Sequence, residues 1–231
     1  MVGELAVRDL TEFVPSTITQ IYGEAASGKT NLCLIAAAET ARRGKKVIYI
    51  DTEGSFSTQR FKQVAGADAV EFLKLISIAA PSDFDEQKIA INKTEDLAAQ
   101  GGVGLVVVDS LVSLYRLEMG SQEASATNRE LSKQLAKLMK IAKKHDVPVV
   151  VTNQVYATFS RDGEAQVNVV PVGRDVLKYW TKNVLHLTKD GPNRVATIIR
   201  HNFKPEGASV RFKITSDGIN ESLIDNTSGQ V

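Results

Sequence analysis

The eight residues Gly23-Glu24-Ala25-Ala26-Ser27-Gly28-Lys29-Thr30 constrain the fold of this chain more than any others. They match G-x4-G-K-[ST], a loop whose chemistry requires a strand before it and a helix after it. Both flanks comply. Thr17 to Tyr22 alternates β-branched, polar and apolar residues as a strand does, and Lys29 to about Arg43 reads as a helix closed by Gly44. A loop with so little side-chain bulk lets successive backbone N–H groups turn inward around a phosphate, and the helix N-terminus adds the positive end of its dipole. Lys29 supplies a point charge for β/γ-phosphates, and the Thr30 hydroxyl is a ligand for Mg²⁺.

The rest of the chain alternates in the same way. Lys46 to Asp51 reads as a second strand and Phe72 to Ile78 as a third. Asp83 to Gln100 reads as a helix stopped by Gly101-Gly102. Gly104 to Asp109 and Val147 to Thr152 are continuous apolar runs, the kind buried on both faces of a sheet, and Ser121 to His145 lies between them as a long amphipathic helix. Strands alternating with helices predict right-handed crossovers and a mainly parallel sheet flanked by helices. The last third differs. Asn183 to Thr188, Arg194 to Phe203 and Val210 to Thr215, joined by Gly/Pro turns, predict antiparallel strands added at the C-terminal edge. The expectation is one α/β domain over 1–231, with an irregular N-terminal segment at 1–16 and a C-terminal tail at 216–231.

Composition excludes several classes. The longest apolar run is the seven-residue Leu32 to Ala38, well short of the roughly 18 residues of a membrane helix. Residues 1–8 lack the layout of a secretory signal, and the single cysteine, Cys33, cannot form an internal disulfide. A cytoplasmic protein with no membrane partner is expected, and Cys33 reads as a small core residue. The net charge of +1 says nothing about nucleic acid, but its distribution is uneven. Residues 161–213 hold ten Lys/Arg against five Asp/Glu, a local surplus of +5.

Further site residues follow from where the strands end. Asp109 closes an apolar strand, where a carboxylate completes a magnesium shell. Glu53, two residues beyond Asp51, stands where sheet folds put ligand-facing groups, and reads as the carboxylate that activates water. Asp51 itself is its rival. Gln154, after Thr152-Asn153, presents an amide that either senses a γ-phosphate or caps a loop.

Taken in order, this assembly resembles the RecA-like recombinase family. The residues that carry the likeness are the P-loop, Tyr49 to Phe56, Val107 to Leu111 with Leu114-Tyr115-Arg116, Val151 to Val155, and Lys204-Pro205-Glu206-Gly207 through Gly218-Ile219. The archaeal RadA/RadB branch fits best, with the short RadB paralogues nearer than RadA. The resemblance covers about residues 15–220. None of the eight Phe residues is followed by Ala three positions on, so the Phe-x-x-Ala polymerisation tether of full recombinases is not found.

The resemblance implies a RecA-like P-loop ATPase core using ATP and Mg²⁺. It implies an accessory role in repair beside a RadA-type recombinase, with weak hydrolysis, binding to single-stranded DNA, and at most self-association into a small oligomer. It assigns Glu53 as the water-activating carboxylate, Asp109 as the magnesium-site acid and Gln154 as the coupler of γ-phosphate to the loop behind it. Lys29 serves with them, and nucleotide contacts extend over Gly23, Glu24, Ala25, Ala26, Ser27, Gly28, Lys29, Thr30 and Asn31. Arg60 matches the position whose guanidinium stacks on adenine.

Three segments depart from the family pattern, the first being Gly3 to Ser16, which lacks the glycine-rich turn usual before the first strand. The loop Glu118 to Glu123 lacks the arginine that recombinases place there, and Arg200-His201-Asn202 carries one charge fewer than the basic cluster of RadB relatives.

For DNA, Arg161, Arg174, Lys178, Lys182, Arg200, His201 and Lys204 are the expected phosphate contacts. Tyr179 and Trp180 either stack on bases or pack a short helix onto the sheet. Lys133, Lys137, Lys140 and Lys144, at helical spacing, read as a solvated outer face. Two other functions fit the same phosphate machinery, a small-molecule kinase and a KaiC-like regulatory ATPase acting through protein partners without DNA. The Asn153-Gln154 strand end and the basic last third count against the kinase.

Overall fold

The structure, a computed structural model, describes residues 5–119, 124–159 and 167–222. The strand before the P-loop, β1 (Ile18–Gly23), lies inside a nine-stranded sheet. Around it run β2 (Lys46–Asp51), β3 (Ile76–Ala79), β4 (Val103–Asp109), β5 (Val149–Asn153), β8 (Asn183–Asp190), β9 (Asn193–Arg200), β10 (Ser209–Thr215) and β11 (Gly218–Glu221), in the order β11-β10-β9-β8-β1-β5-β4-β2-β3. Strands β8-β1-β5-β4-β2-β3 are all parallel, and β8 through β11 are antiparallel. A separate antiparallel hairpin pairs β6 (Val155–Phe159) with β7 (Val167–Pro171).

Seven helices accompany the sheet among the described residues: α1 (Lys29–Arg42), α2 (Thr58–Ala65), α3 (Ala69–Leu73), α4 (Phe84–Ala99), α5 (Ser113–Glu118), α6 (Ala124–His145) and α7 (Arg174–Trp180). The apolar strands sort their side chains by the period of two. Val47, Tyr49, Leu105, Val107 and Val150 face a core shared with α1, α2 and α3. Ile48, Ile50, Val106, Val108, Val149 and Val151 face a second core with α4, α5, α6 and α7. Both faces of the parallel strands are therefore covered, which is why these strands read as unbroken apolar runs. Cys33 belongs to the first core and is fully buried.

Three readings of the sequence need correction. Phe72 to Ile78 is not one strand: α3 ends at Leu73, and only Ile76–Ala79 pairs, with β2. Phe72 packs against the first core under the Arg42 guanidinium, so its apolar character serves a helix face. The tail read from 216 onward contains β11, which pairs with β10 through Ile219 and Ile214. Within the segment read as irregular, Val7–Leu10 form a 3₁₀ turn, with Leu5 and Leu10 buried against the first core. Among the described residues, no helix is long and apolar enough to cross a membrane.

Candidate active site

Four parallel strands end at one rim of the sheet, and their C-terminal residues form the site. The first is β1, whose Gly23 opens the P-loop. A Cβ on Gly23 would lie 2.2 Å from the Leu187 carbonyl oxygen on β8, so glycine here is required by strand packing. Gly28, at the N-terminus of α1, has φ +105°, and a Cβ there would press on Ile214. No side chain caps α1 at this residue, so the first-turn N–H groups stay directed at the loop. The Lys29 ammonium donates to the carbonyls of Gly23 and Glu24, each at 2.9 Å. Burial pushes its pKa below the ordinary lysine value, and the negative fields of Asp109 and Glu53 partly restore it.

The second strand end gives its two carboxylates different surroundings. Asp51, only 5% exposed, accepts from the backbone N–H groups of Glu53 and Ser55 on Oδ1 and from that of Phe56 on Oδ2, at 3.3, 3.0 and 2.8 Å. It accepts the Ser55 hydroxyl as well. An Asx-type turn of this kind engages both Asp51 oxygens with the backbone of its own loop. Its effect is to turn Glu53 outward. Glu53 is exposed, and its Oε1 accepts from the Gln154 amide at 2.7 Å.

Asp109, at the end of β4 and opposite Asp51 in register, is 2% exposed. Its carboxylate accepts from the hydroxyls of Tyr49 at 2.9 Å and Thr152 at 2.5 Å, and the Ser55 hydroxyl, 3.3 Å away, shares its one proton between this carboxylate and that of Asp51. Burial raises the Tyr49 phenol well above its ordinary value, and the neighbouring Asp109 carboxylate raises it further, so this donor keeps its proton. The last strand end, β5, is tied to the return of the β6–β7 hairpin. Asn153 Nδ2 donates to the Val172 carbonyl at 2.8 Å, and the Val172 N–H donates to the Gln154 carbonyl at 3.1 Å. With its carbonyl held there, Gln154 extends its side chain both to Glu53 and to Arg116 on α5, whose Nη1 donates to Gln154 Oε1 at 3.2 Å.

Arg60, on α2, stands beside the P-loop helix. Its Nε donates to Asn31 Oδ1 at 2.7 Å and its guanidinium also reaches the Ser216 and Gly218 carbonyls and Gln63. The β8–β9 turn braces the other side of the loop. Lys189 pairs with Glu24 at 3.3 Å, and Arg194 Nε donates to the Ala26 carbonyl at 3.2 Å. Arg116, Thr152 and Arg194 were not singled out as site residues in the sequence, and Asp51 was named only as the rival base. Only Asp51 carried a usable signal, an Asp followed by Thr-Glu-Gly-Ser, which is turn chemistry.

Five of the residues expected to contact DNA are described with their side chains, and these five do not join this site. Arg161 lies outside the described residues, and Arg174 opens α7. Lys178, Lys182, Arg200, His201 and Lys204 gather at the opposite end of the sheet, where β8 begins and β9 ends: Val184 faces Arg200, and the Lys182 N–H donates to the Ile18 carbonyl. Three of them have partners within the chain. Arg200 donates to the carbonyls of Lys178 and Thr181. His201 Nδ1 accepts the N–H groups of Phe203 and Lys204, each at 3.1 Å, and burial lowers its pKa. Lys204 pairs with Asp9 at 2.9 Å. Lys178 and Lys182 are exposed. Trp180 packs on the second core and donates to Ser132 Oγ at 3.2 Å, whereas Tyr179 is 74% exposed.

The residues at the rim fit a nucleotide with its metal. The α1 N-terminus and Lys29 suit polyphosphate, and Thr30 with Asp109 offers only oxygen donors, which a hard cation such as Mg²⁺ prefers. The Rad51 family model matches residues 11–222. The chain is 42% identical over 209 residues to the DNA repair and recombination protein RadB of Methanococcoides burtonii, covering 90% of each. It is 43% identical over 204 residues to the protein of the same name from Methanoculleus marisnigri, covering 87% of this chain and 88% of that one. The crystal structure of the RadB recombinase superposes with a TM-score of 0.76 at 37% identity, over 96% of this chain and 98% of the other.

Proposed function

The chain belongs to the Rad51 family and to its RadB group, and from that premise we propose that it binds and slowly hydrolyses ATP as an accessory protein in DNA repair and recombination. Its partners in this reading are single-stranded DNA and a RadA-type recombinase. The observation that carries the reading is the convergence of Lys29, Glu53, Asp109 and Gln154 from four neighbouring strand ends. Lys29 and the α1 N-terminus hold the β- and γ-phosphates, and Arg60, beside Asn31, stands on the base side. Thr30 and Asp109 are the residues that would hold Mg²⁺, which when bound supplies charge neutralisation on the phosphate oxygens. Glu53 accepts a proton from the attacking water. Gln154 bonds Glu53 Oε1, which leaves the other carboxylate oxygen the less encumbered acceptor for that proton.

Nucleotide binding and phosphate release, measured on three proteins, test the reading. Lys29→Ala should lose tight ATP binding because the charge opposite the phosphates is gone. Glu53→Gln should bind ATP as the wild type does and release no phosphate. Wild-type turnover by Glu53→Gln would remove Glu53 from its role, and undiminished ATP binding by Lys29→Ala would remove the phosphate site.

A further inference from the structure

We infer that Arg116 is a positioning residue for ATP hydrolysis, acting through Gln154 on Glu53. The inference rests on the hydrolytic reading above. Its basis is a directional chain of three side chains from three elements: Arg116 Nη1 donates to Gln154 Oε1 at 3.2 Å, and Gln154 Nε2 donates to Glu53 Oε1 at 2.7 Å. Arg116 is separated from Gln154 by 38 residues and Gln154 from Glu53 by 101, so the fold alone assembles the chain.

Chemistry fixes its direction. A guanidinium only donates, a carboxylate only accepts, and an amide does one at each end. Only one orientation of the Gln154 amide satisfies both neighbours, with its oxygen toward Arg116 and its nitrogen toward Glu53. The backbone of Gln154 is held independently, through its carbonyl and the bonds that Asn153 and Val172 make. What remains free is rotation of a half-exposed side chain, and Arg116 removes that freedom. One bond from the Gln154 nitrogen then restrains the exposed Glu53 carboxylate by a single oxygen, so that its other oxygen keeps one direction. Asp51 fixes the turn beneath Glu53 from the opposite side. The carboxylate is thus positioned from the backbone by Asp51 and at its tip by Gln154. Arg116 itself is exposed and on the short helix α5, so it can be replaced without opening the core.

Steady-state hydrolysis and binding of a fluorescent ATP analogue, on Arg116→Ala, Arg116→Lys, Gln154→Ala, Glu53→Gln and the Arg116→Ala/Gln154→Ala pair, test the inference. Loss of one solvent-exposed hydrogen bond, weaker than a buried charged one, predicts a fall in kcat of about fivefold to tenfold for Arg116→Ala. Nucleotide affinity of Arg116→Ala should stay within about twofold, because Arg116 bonds Gln154 and no residue of the P-loop. Arg116→Lys, which keeps one charged donor, should recover part of the rate. The double variant should turn over no more slowly than Gln154→Ala alone, a coupling that a merely structural role would not produce. Wild-type turnover by Arg116→Ala, a raised kcat, or multiplying effects in the double variant would each overturn the inference. Loss of turnover in Glu53→Gln together with full turnover in Arg116→Ala sinks the positioning role alone. Full turnover in Glu53→Gln sinks the base and the positioning role together.

Discussion

Asp51 and Glu53 stand two residues apart, and their surroundings give them separate tasks. Asp51 spends both carboxylate oxygens on the N–H groups of residues 53, 55 and 56, while Glu53 is turned out to a single amide. Substitution separates the two tasks. Asp51→Ala leaves three backbone donors without their acceptor in a partly buried turn. A loss of about 1–3 kcal/mol is expected, visible as a lower urea midpoint, with hydrolysis lost too because Glu53 loses its platform. Glu53→Gln should leave the midpoint unchanged and remove hydrolysis alone. Equal midpoints for Asp51→Ala and wild type would show that the turn holds without its carboxylate. The sequence offered Asp51 as a rival base because a carboxylate at a strand end is all that linear order reveals. Which of its oxygens were already occupied depended on the path of residues 52–56. Arg116 was harder still, since the residue it orients is 38 positions away.

Between elements, the legible parts were those whose periodicity answers to a single environment. β2 and β4 lie between two cores and read as continuous apolar runs, and α4 announces itself with the Asp83 cap and the Gly101-Gly102 stop. The run Phe72 to Ile78 misled because a helix end and an edge strand share it, each burying a different part. β11 has four residues and pairs only with β10, too short to show any period. The lysines of α6 illustrate a related limit. Helical spacing suggested a solvated face, yet Lys137, Lys140 and Lys144 all converge on Glu95 of α4. Hydrogen bonds from Lys137 and then Lys140 pull the Glu95 carboxyl from its ordinary value near 4.5 down to about 2. A carboxyl depressed in the folded state adds stability above its unfolded pKa, and that stability fades as pH falls from about 4.5 toward about 2. Glu95→Gln should therefore be less stable than wild type at pH 7, by an amount that shrinks in high salt. The gap should close on acidification through that window. A gap that is the same at both ends of the window would mean that the three lysines stabilise nothing through Glu95.

Across the whole molecule, the parallel sheet separates two chemistries. The residues proposed to hold the nucleotide occupy the C-terminal rim, as open α/β sheets dispose such groups, and Lys178, Lys182, Arg200, His201 and Lys204 occupy the other end. The surplus of +5 in residues 161–213 is not one surface. Lys189 and Arg194 brace the P-loop, Arg211 pairs with Asp190, and Lys204 pairs with Asp9. Arg200, His201 and Lys204 each already hold an internal bond or ion pair, so part of their hydrogen-bonding capacity is committed within the chain. The ammonium groups of Lys178 and Lys182 have no hydrogen bond or ion pair among the described residues, and the exposed ring of Tyr179, with that of Phe203 at 78% exposure, shares their end of the sheet. Each phosphate neutralised on a single strand contributes about −0.7 to the log–log salt slope of binding. Lys178→Glu with Lys182→Glu should therefore flatten the slope by about 1.4 and weaken binding alike for every sequence, because phosphate contacts carry no base information. Reversal of Lys133 and Lys137 on α6, already paired with Glu130 and Glu95, should leave the slope unchanged. Titration of single-stranded DNA at several salt concentrations decides the matter. An undiminished slope in the Lys178/Lys182 variant would move the DNA surface from this end of the sheet to the nucleotide rim, where the β6–β7 hairpin hangs from Asn153 and Gln154.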